Sequence, residues 1–154
     1  MQQSIRHLLF AVFDKNQFQI YSPEKSQIIN IAMIKIKRVY DLPSKDDGER
    51  FLVERLWPRG IRKEALCITG WLKDLAPSHD LRKWFSHDLK KWEEFKKRYE
   101  LELEEPEKQN LLKQLAQKAL NQNITLLYSA RDTKHNSAVV LKQILEKYIH
   151  GERP

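Results

Sequence analysis

Apolar and basic positions interleave over Ile34–Tyr40, where Ile34, Ile36 and Val39 are separated by Lys35, Lys37 and Arg38. That spacing predicts a strand covered on one face. A second strand is expected at Phe51–Glu54. The run Ile124–Tyr128 is apolar almost throughout and rich in strand formers, which suits burial on both faces and a place at the centre of the sheet. Helical spacing fills the interval between them, over Leu81–Phe85, Lys90–Leu103 and Glu107–Leu120. In the middle segment Trp92, Phe95, Tyr99 and Leu103 form one stripe, with Lys90, Lys91, Lys97 and Arg98 falling largely off it. Pro106 suits the first turn of the next helix, whose stripe is Leu111, Leu112, Leu115 and Ala119. The last helix, Asn136–Ile149, buries Val140, Leu141, Ile144, Leu145 and Tyr148, and Gly151 follows in a C-cap-like position.

The order strand, helices, strand, helix is that of a parallel α/β unit, so the expected fold is a small three-layer α/β domain, a mainly parallel sheet flanked by helices. The link from Tyr40 to Arg50 carries Pro43 and Asp46-Asp47-Gly48, a turn cluster with barely the length for a parallel crossover, which keeps an antiparallel pairing of the first two strands open. Residues 1–32 read as an N-terminal extension, a hairpin from Leu8 to Tyr21 followed by a Ser22–Ser26 linker, or as sequence preceding the natural start at Met33. Residues 33–150 read as the single α/β domain.

At 154 residues, with 41% hydrophobic and 10% aromatic positions, the chain is long and apolar enough for one packed core. A single cysteine, Cys67, forms no intramolecular disulfide and fits a reducing cytosol, and it reads as a small buried residue. The apolar run Leu8–Phe13 is too short for a signal peptide or a membrane span, so a cytoplasmic protein without membrane attachment is expected. The net charge of +7 suits phosphate-bearing partners, nucleic acid included, or simply solvated lysine-rich helices, since the basic residues are mixed with Glu and Asp. There is no Gly-rich phosphate loop, no dinucleotide fingerprint and no histidine pair at metal-binding helical spacing. No metal site is expected, and the sequence names no cofactor.

Long motifs in a fixed order carry a resemblance: Arg38–Asp41, Asp47-Gly48, Arg55–Gly60, Trp71–Ser78, Leu81–Phe85 with His87-Asp88, and Leu126–Asp132 with His135-Asn136. From Met33 to Ile149 the chain resembles the YeaO-like bacterial proteins within domain-of-unknown-function family 488. The resemblance implies the α/β fold and supplies no reaction. In the wider family, similar turns after a strand carry a cysteine and a His-Arg pair; here Tyr128–Ala138 has no cysteine, which argues against thiol chemistry.

Ligands of parallel α/β folds bind beyond the carboxyl ends of the strands. Three motif-rich turns fall there: Tyr40 after the first strand, Arg55, Trp57 and Arg59 after the second, and Arg131, Asp132, His135 and Asn136 after the third. Arg55, Arg59 and Arg131 offer planar forks for carboxylate or phosphate, and the last helix would aim its free N–H groups at the same spot. The other reading has these arginines tying loops together through Asp41, Asp74 or Asp132. Asp132 with His135 is a candidate acid–base pair; alternatively Asp132 caps the last helix and His135 is solvated. Trp57 either stacks on a ligand or lids the core, whereas Trp71 and Trp84 read as core. The expected partner is an anionic small molecule, bound or transformed. The alternative is a nucleic-acid-binding or regulatory protein using a basic surface. If residues 1–32 are dispensable, a chain beginning at Met33 will melt cooperatively within a few degrees of the full chain in a calorimetric scan, whereas loss of the transition would make the hairpin part of the fold.

Overall fold

The computed structural model describes residues 10–14, 17–21, 28–30 and 33–151. Strands β1 (Phe10–Asp14), β2 (Gln17–Tyr21) and β3 (Ile28–Asn30) form a small antiparallel sheet of their own, with β1 and β2 as a hairpin. The expected Ser22–Ser26 linker lies outside the described residues.

The main sheet has four parallel strands in the order β4 (Ile34–Arg38), β7 (Ile124–Tyr128), β5 (Glu49–Leu52), β6 (Gly70–Trp71). As the apolar run predicts, β7 is buried at every position and sits between two neighbours. Both β4 and β5 pair with β7, so they are parallel to one another without touching, which resolves the open pairing. The strand β6 and the short helix α1 (Lys63–Leu66) were not legible, because a two-residue strand that starts at Gly70 carries no periodicity.

In register, Ile36, Leu126 and Phe51 form one row, facing the helices α2 (His79–Phe85), α3 (Trp92–Glu102), α4 (Pro106–Asn121) and α5 (Ser137–Ile149). The expected stripes supply that core: Phe95, Tyr99 and Leu103 from the α3 region, Leu112, Leu115 and Ala119 from α4, and Val140, Leu141, Ile144 and Leu145 from α5. Trp92, Leu111 and Tyr148 pack at its edge, half-buried. Tyr99 is fully buried and its hydroxyl donates to the Leu75 carbonyl at 2.6 Å, with burial pushing its pKa upward.

The opposite face of the sheet carries a smaller core of Val39, Leu52, Leu66 and Leu127, covered by Trp57, Ile61 and Ile68. The link from β4 to β5 lies on this face. Lys35 Nζ donates to the Asp46 carbonyl at 2.7 Å, Lys37 Nζ to the Leu42 carbonyl at 2.8 Å, and Thr125 Oγ1 to the Asp47 carbonyl at 2.7 Å. These three side chains share a face, so the link runs back across it. Among the described residues the third layer is therefore thin, made of this link and the segment around α1.

A buried charge cluster pins the link. The Asp47 carboxylate accepts from Lys37 Nζ at 2.9 Å, Ser44 Oγ at 2.8 Å, the Ser44 N–H at 3.0 Å and the Arg50 guanidinium. Both Asp47 and Arg50 are buried. Next to them Gly48 adopts φ 64°, and a Cβ there would lie 1.8 Å from the Asn123 carbonyl oxygen, so only glycine lets the link close against β7.

Burial alone would raise the Asp47 pKa, but the hydrogen bonds from Ser44, Lys37 and Arg50 outweigh it and hold the carboxyl well below the usual range. The stabilisation is present above the ordinary Asp value of 3.8 and drains away as pH falls below it, because the unfolded chain takes up the proton first. Asp47→Ala strands the Arg50 charge and is expected to cost about 3–5 kcal/mol in urea unfolding at neutral pH. A loss no larger than that of an exposed substitution would show that the cluster does not hold the link.

Candidate functional site

Because β5 and β7 are parallel, the turns that follow them emerge at one edge of the sheet. Val53 N–H still bonds the Leu127 carbonyl at 3.1 Å, after which Glu54 and Arg55 leave beside Ser129 and Ala130. The N-terminus of α5 closes one side. Asn136 is its N-cap, accepting from the Val139 N–H at 3.1 Å and donating from Nδ2 to the Asp132 carbonyl at 3.0 Å. Helix α2 closes the other side and carries Arg82; its cap Ser78 accepts from the Leu81 N–H at 3.1 Å and is itself bound by Glu102 of α3 through the Ser78 N–H at 2.8 Å. Between them lies a cleft of about 130 Å³, floored by Phe85 and Phe95 and rimmed by Glu54, Arg55, Arg82, His87, Ser129, His135, Asn136 and Ser137.

The charges in the cleft differ in how far they are engaged. Arg55 donates from Nε to the Pro77 carbonyl at 3.0 Å and from a terminal nitrogen to the Ala76 carbonyl at 3.2 Å. Glu54 accepts from the Ser129 N–H at 2.9 Å. Arg82 is half-exposed, and no carboxylate among the described residues lies within ion-pair distance of its guanidinium. His135 Nδ1 lies 2.8 Å from Asp132 Oδ2, and its ring meets Trp92 edge-on at 5.1 Å. Hydrogen bonds from the Lys134 N–H and then from His135 draw the Asp132 carboxyl below the usual range. Such a pair fixes the imidazole ring and can serve binding or proton transfer.

The backbone is strained at the same rim. Ser86 and His87 follow α2 with φ of 42° and 57°, consecutive left-handed residues that carry side chains. This turn seats the His87 ring 5.9 Å from Phe85, facing the cleft. Strain of this kind concentrates at binding and catalytic sites.

Of the residues singled out in the sequence, Arg55, His135 and Asn136 line the cleft, with Asp132 behind His135. Arg59 and Arg131 are exposed and line no part of it. The expectation that three arginines converge is therefore not met: the turns emerge on one edge, but their side chains diverge. Arg55 is clamped, though by backbone carbonyls rather than carboxylates. Tyr40 is 53% exposed and stacks under the Arg38 guanidinium at 5.0 Å. Trp57 lies over the smaller core on the other face, its Nε1 donating to the Ile61 carbonyl at 2.8 Å and its ring edge-on to Trp71 at 5.5 Å. Trp71 is exposed rather than core, and Trp84 is half-buried under Arg98 at 4.2 Å. Cys67, expected to be buried, is exposed. Asp132 does not cap α5; its side chain takes the N–H groups of Lys134 and His135, leaving the cap to Asn136. Reading from the sequence missed Arg82, Glu54 and Ser129, and singled out His87 only beside Asp88, not as part of this cleft. The short motif Leu81–Phe85 with His87 was the one signal that pointed toward Arg82 and His87.

Among the described residues no cluster of three or more His, Cys, Asp or Glu side chains is placed to hold a metal, and no helix is long and apolar enough to cross a membrane.

A parallel α/β domain with a polar cleft at the carboxyl edge of its sheet is the class that fold and site define. Residues 33–153 match the family described as "Inactive DUF488-N3 subclade", and the chain belongs to that family. It is 45% identical over 108 residues to the uncharacterized protein YeaO of Escherichia coli K12, covering 70% of this chain and 92% of the relative. Uncharacterized proteins of Mycobacterium bovis and Mycobacterium tuberculosis are 37% identical over 118 residues, covering 77% of this chain and 98% of each relative. No solved structure matches the chain significantly.

Since Ser86 occupies a left-handed C-cap position that glycine prefers, Ser86→Gly is expected to stabilise the protein by about 0.5–1 kcal/mol in chemical unfolding. Destabilisation instead would mean that the turn is not strained.

Proposed function

We propose that the protein binds a small anionic molecule in this cleft and does not transform it. The observation that carries the reading is Arg82, a guanidinium at the rim of a concave site that no carboxylate among the described residues approaches within ion-pair distance, Glu54 being held by the Ser129 N–H. A permanent charge held on a capped helix is suited to carboxylate or phosphate. The N–H groups at the start of α5 and the His87 and His135 rings supply further polar contacts around the same volume. The family description "Inactive" supports binding over turnover, as does the lack of a nucleophilic thiol between Tyr128 and Ala138. On this reading Asp132 orients His135 as a contact to the ligand, and the protein works in the cytosol, where its one exposed thiol stays reduced.

The basic surface of α3 gives nucleic acid little support. Lys96 pairs with Glu93 at 3.0 Å and Arg98 with Glu94 at 2.9 Å, so both signs share that face. Thermal-shift titration with acetate, benzoate, inorganic phosphate and a nucleoside monophosphate tests the proposal. At least one anion is expected to raise the melting temperature, the rise growing with the logarithm of its concentration above the dissociation constant. Arg82→Ala should abolish the shift while changing the free protein's stability by no more than about 0.5 kcal/mol. An absence of any shift, or a shift that survives Arg82→Ala, overturns it.

A further inference from the structure

Resting on that reading, we infer that the ligand is a carboxylate monoanion bearing a single ring, with its carboxylate on Arg82 and its ring on the Phe85–Phe95 floor. Size sets the first limit. The cleft holds about 130 Å³. A cavity of about 150 Å³ lined by apolar side chains takes one benzene ring, whereas pockets for larger cofactors run to about 300 Å³ and beyond. A nucleotide is too large to be enclosed here.

The floor sets the second limit. Phe85 and Phe95 stack on each other with centroids 4.3 Å apart, and both face the cleft. Both rings are already buried, at 5% and 2% exposure, so the gain comes from the ligand: an apolar ring placed there removes its own surface from water, which a bare ion cannot do. The strained turn at Ser86 and His87 adds a third aromatic wall, holding an imidazole close to the same floor.

Charge sets the third. Among the lining residues Arg55 and Arg82 stand against Glu54, a net positive charge of at most one with neutral imidazoles, and the Asp132 carboxylate behind His135 reduces it further. A monoanion is the most that this charge balances. A phosphate dianion would overfill it and meet the Glu54 carboxylate, whose engagement with the Ser129 N–H fixes it at the rim.

Isothermal titration of the full chain with benzoate, acetate, phenyl phosphate and adenosine monophosphate tests this. Benzoate is expected to bind at least roughly tenfold more tightly than acetate, from burial of the ring. It is also expected to bind more tightly than either phosphate. Ala130→Leu, which fills the cleft beside the floor, should remove benzoate binding and leave the weak acetate binding. Should Ala130→Leu not fold, His87→Gly, which suits the left-handed backbone, should weaken benzoate by a larger factor than acetate, because it removes an aromatic wall as well as a polar contact. If phenyl phosphate or the nucleotide binds best, or acetate matches benzoate, this inference is wrong while anion binding in the cleft stands. If none of the four binds, the proposed function itself fails.

Discussion

Strand β7 is buried on both faces and paired along both edges, and most of the architecture follows from that. A strand with no exposed position needs an apolar layer above and below it. The helices meet the demand on one side with the stripes of α3, α4 and α5. On the other side the described residues supply the link between β4 and β5 and the short segment around α1, a thin layer tied down by polar contacts. The Asp47 cluster and the Gly48 contact with Asn123 perform that task. Asn123 lies immediately before β7 and also binds the Met33 N–H at 2.9 Å and the Asp46 carbonyl at 3.2 Å. The registers of β4, β5 and the link are thereby set at one end of the central strand.

With that end closed, the opposite end of the sheet carries the cleft. Its walls come from parts of the chain far apart in sequence, the turn after β5, helix α2 and the turn before α5. They meet because β5 and β7 run in the same direction side by side. The side chains at the rim are held from behind. Ser78 is fixed by Glu102, Asn136 by Asp132, and His135 by Asp132 and Trp92. A site supported in this way presents preformed geometry to a ligand and loses little entropy on binding.

The distribution of charge separates this cleft from the rest of the surface. Elsewhere some basic residues have acidic neighbours one helical turn away, as with Lys108 and Glu105 at 3.1 Å or Lys142 and Glu146 at 3.7 Å, and others, Arg59 and Arg131 among them, project into solvent. Pairs of this kind keep a helix hydrated and add little to stability. Arg82 differs in its place: it stands at the rim of a concave surface with no carboxylate among the described residues at ion-pair distance. The net charge of +7 is therefore a poor guide to the partner, since it is set largely by solvated helices.

The sequence by itself determined the parts of the fold that periodicity reaches. The apolar run Ile124–Tyr128 suited an inner strand, and the stripes of Phe95, Tyr99, Leu112, Leu115, Val140 and Leu141 identified the core faces of their helices, because burial repeats at the period of the backbone. The Leu126–Asp132 and His135-Asn136 motifs, together with the position of ligands at strand ends, pointed to the edge of the sheet where the cleft lies. Tertiary structure decided the rest. Whether an arginine in a turn faces the cleft or solvent depends on side-chain direction and on distant partners, which leave no periodic trace; Arg55 meets carbonyls of Ala76 and Pro77, while Arg59 and Arg131 are exposed. Trp57 was displaced to the far face by the small core that needed covering. Arg82 and His87, on a short helix and a strained turn, reached the cleft only because α2 packs against α3 over the end of the sheet, a long-range contact that no local pattern encodes.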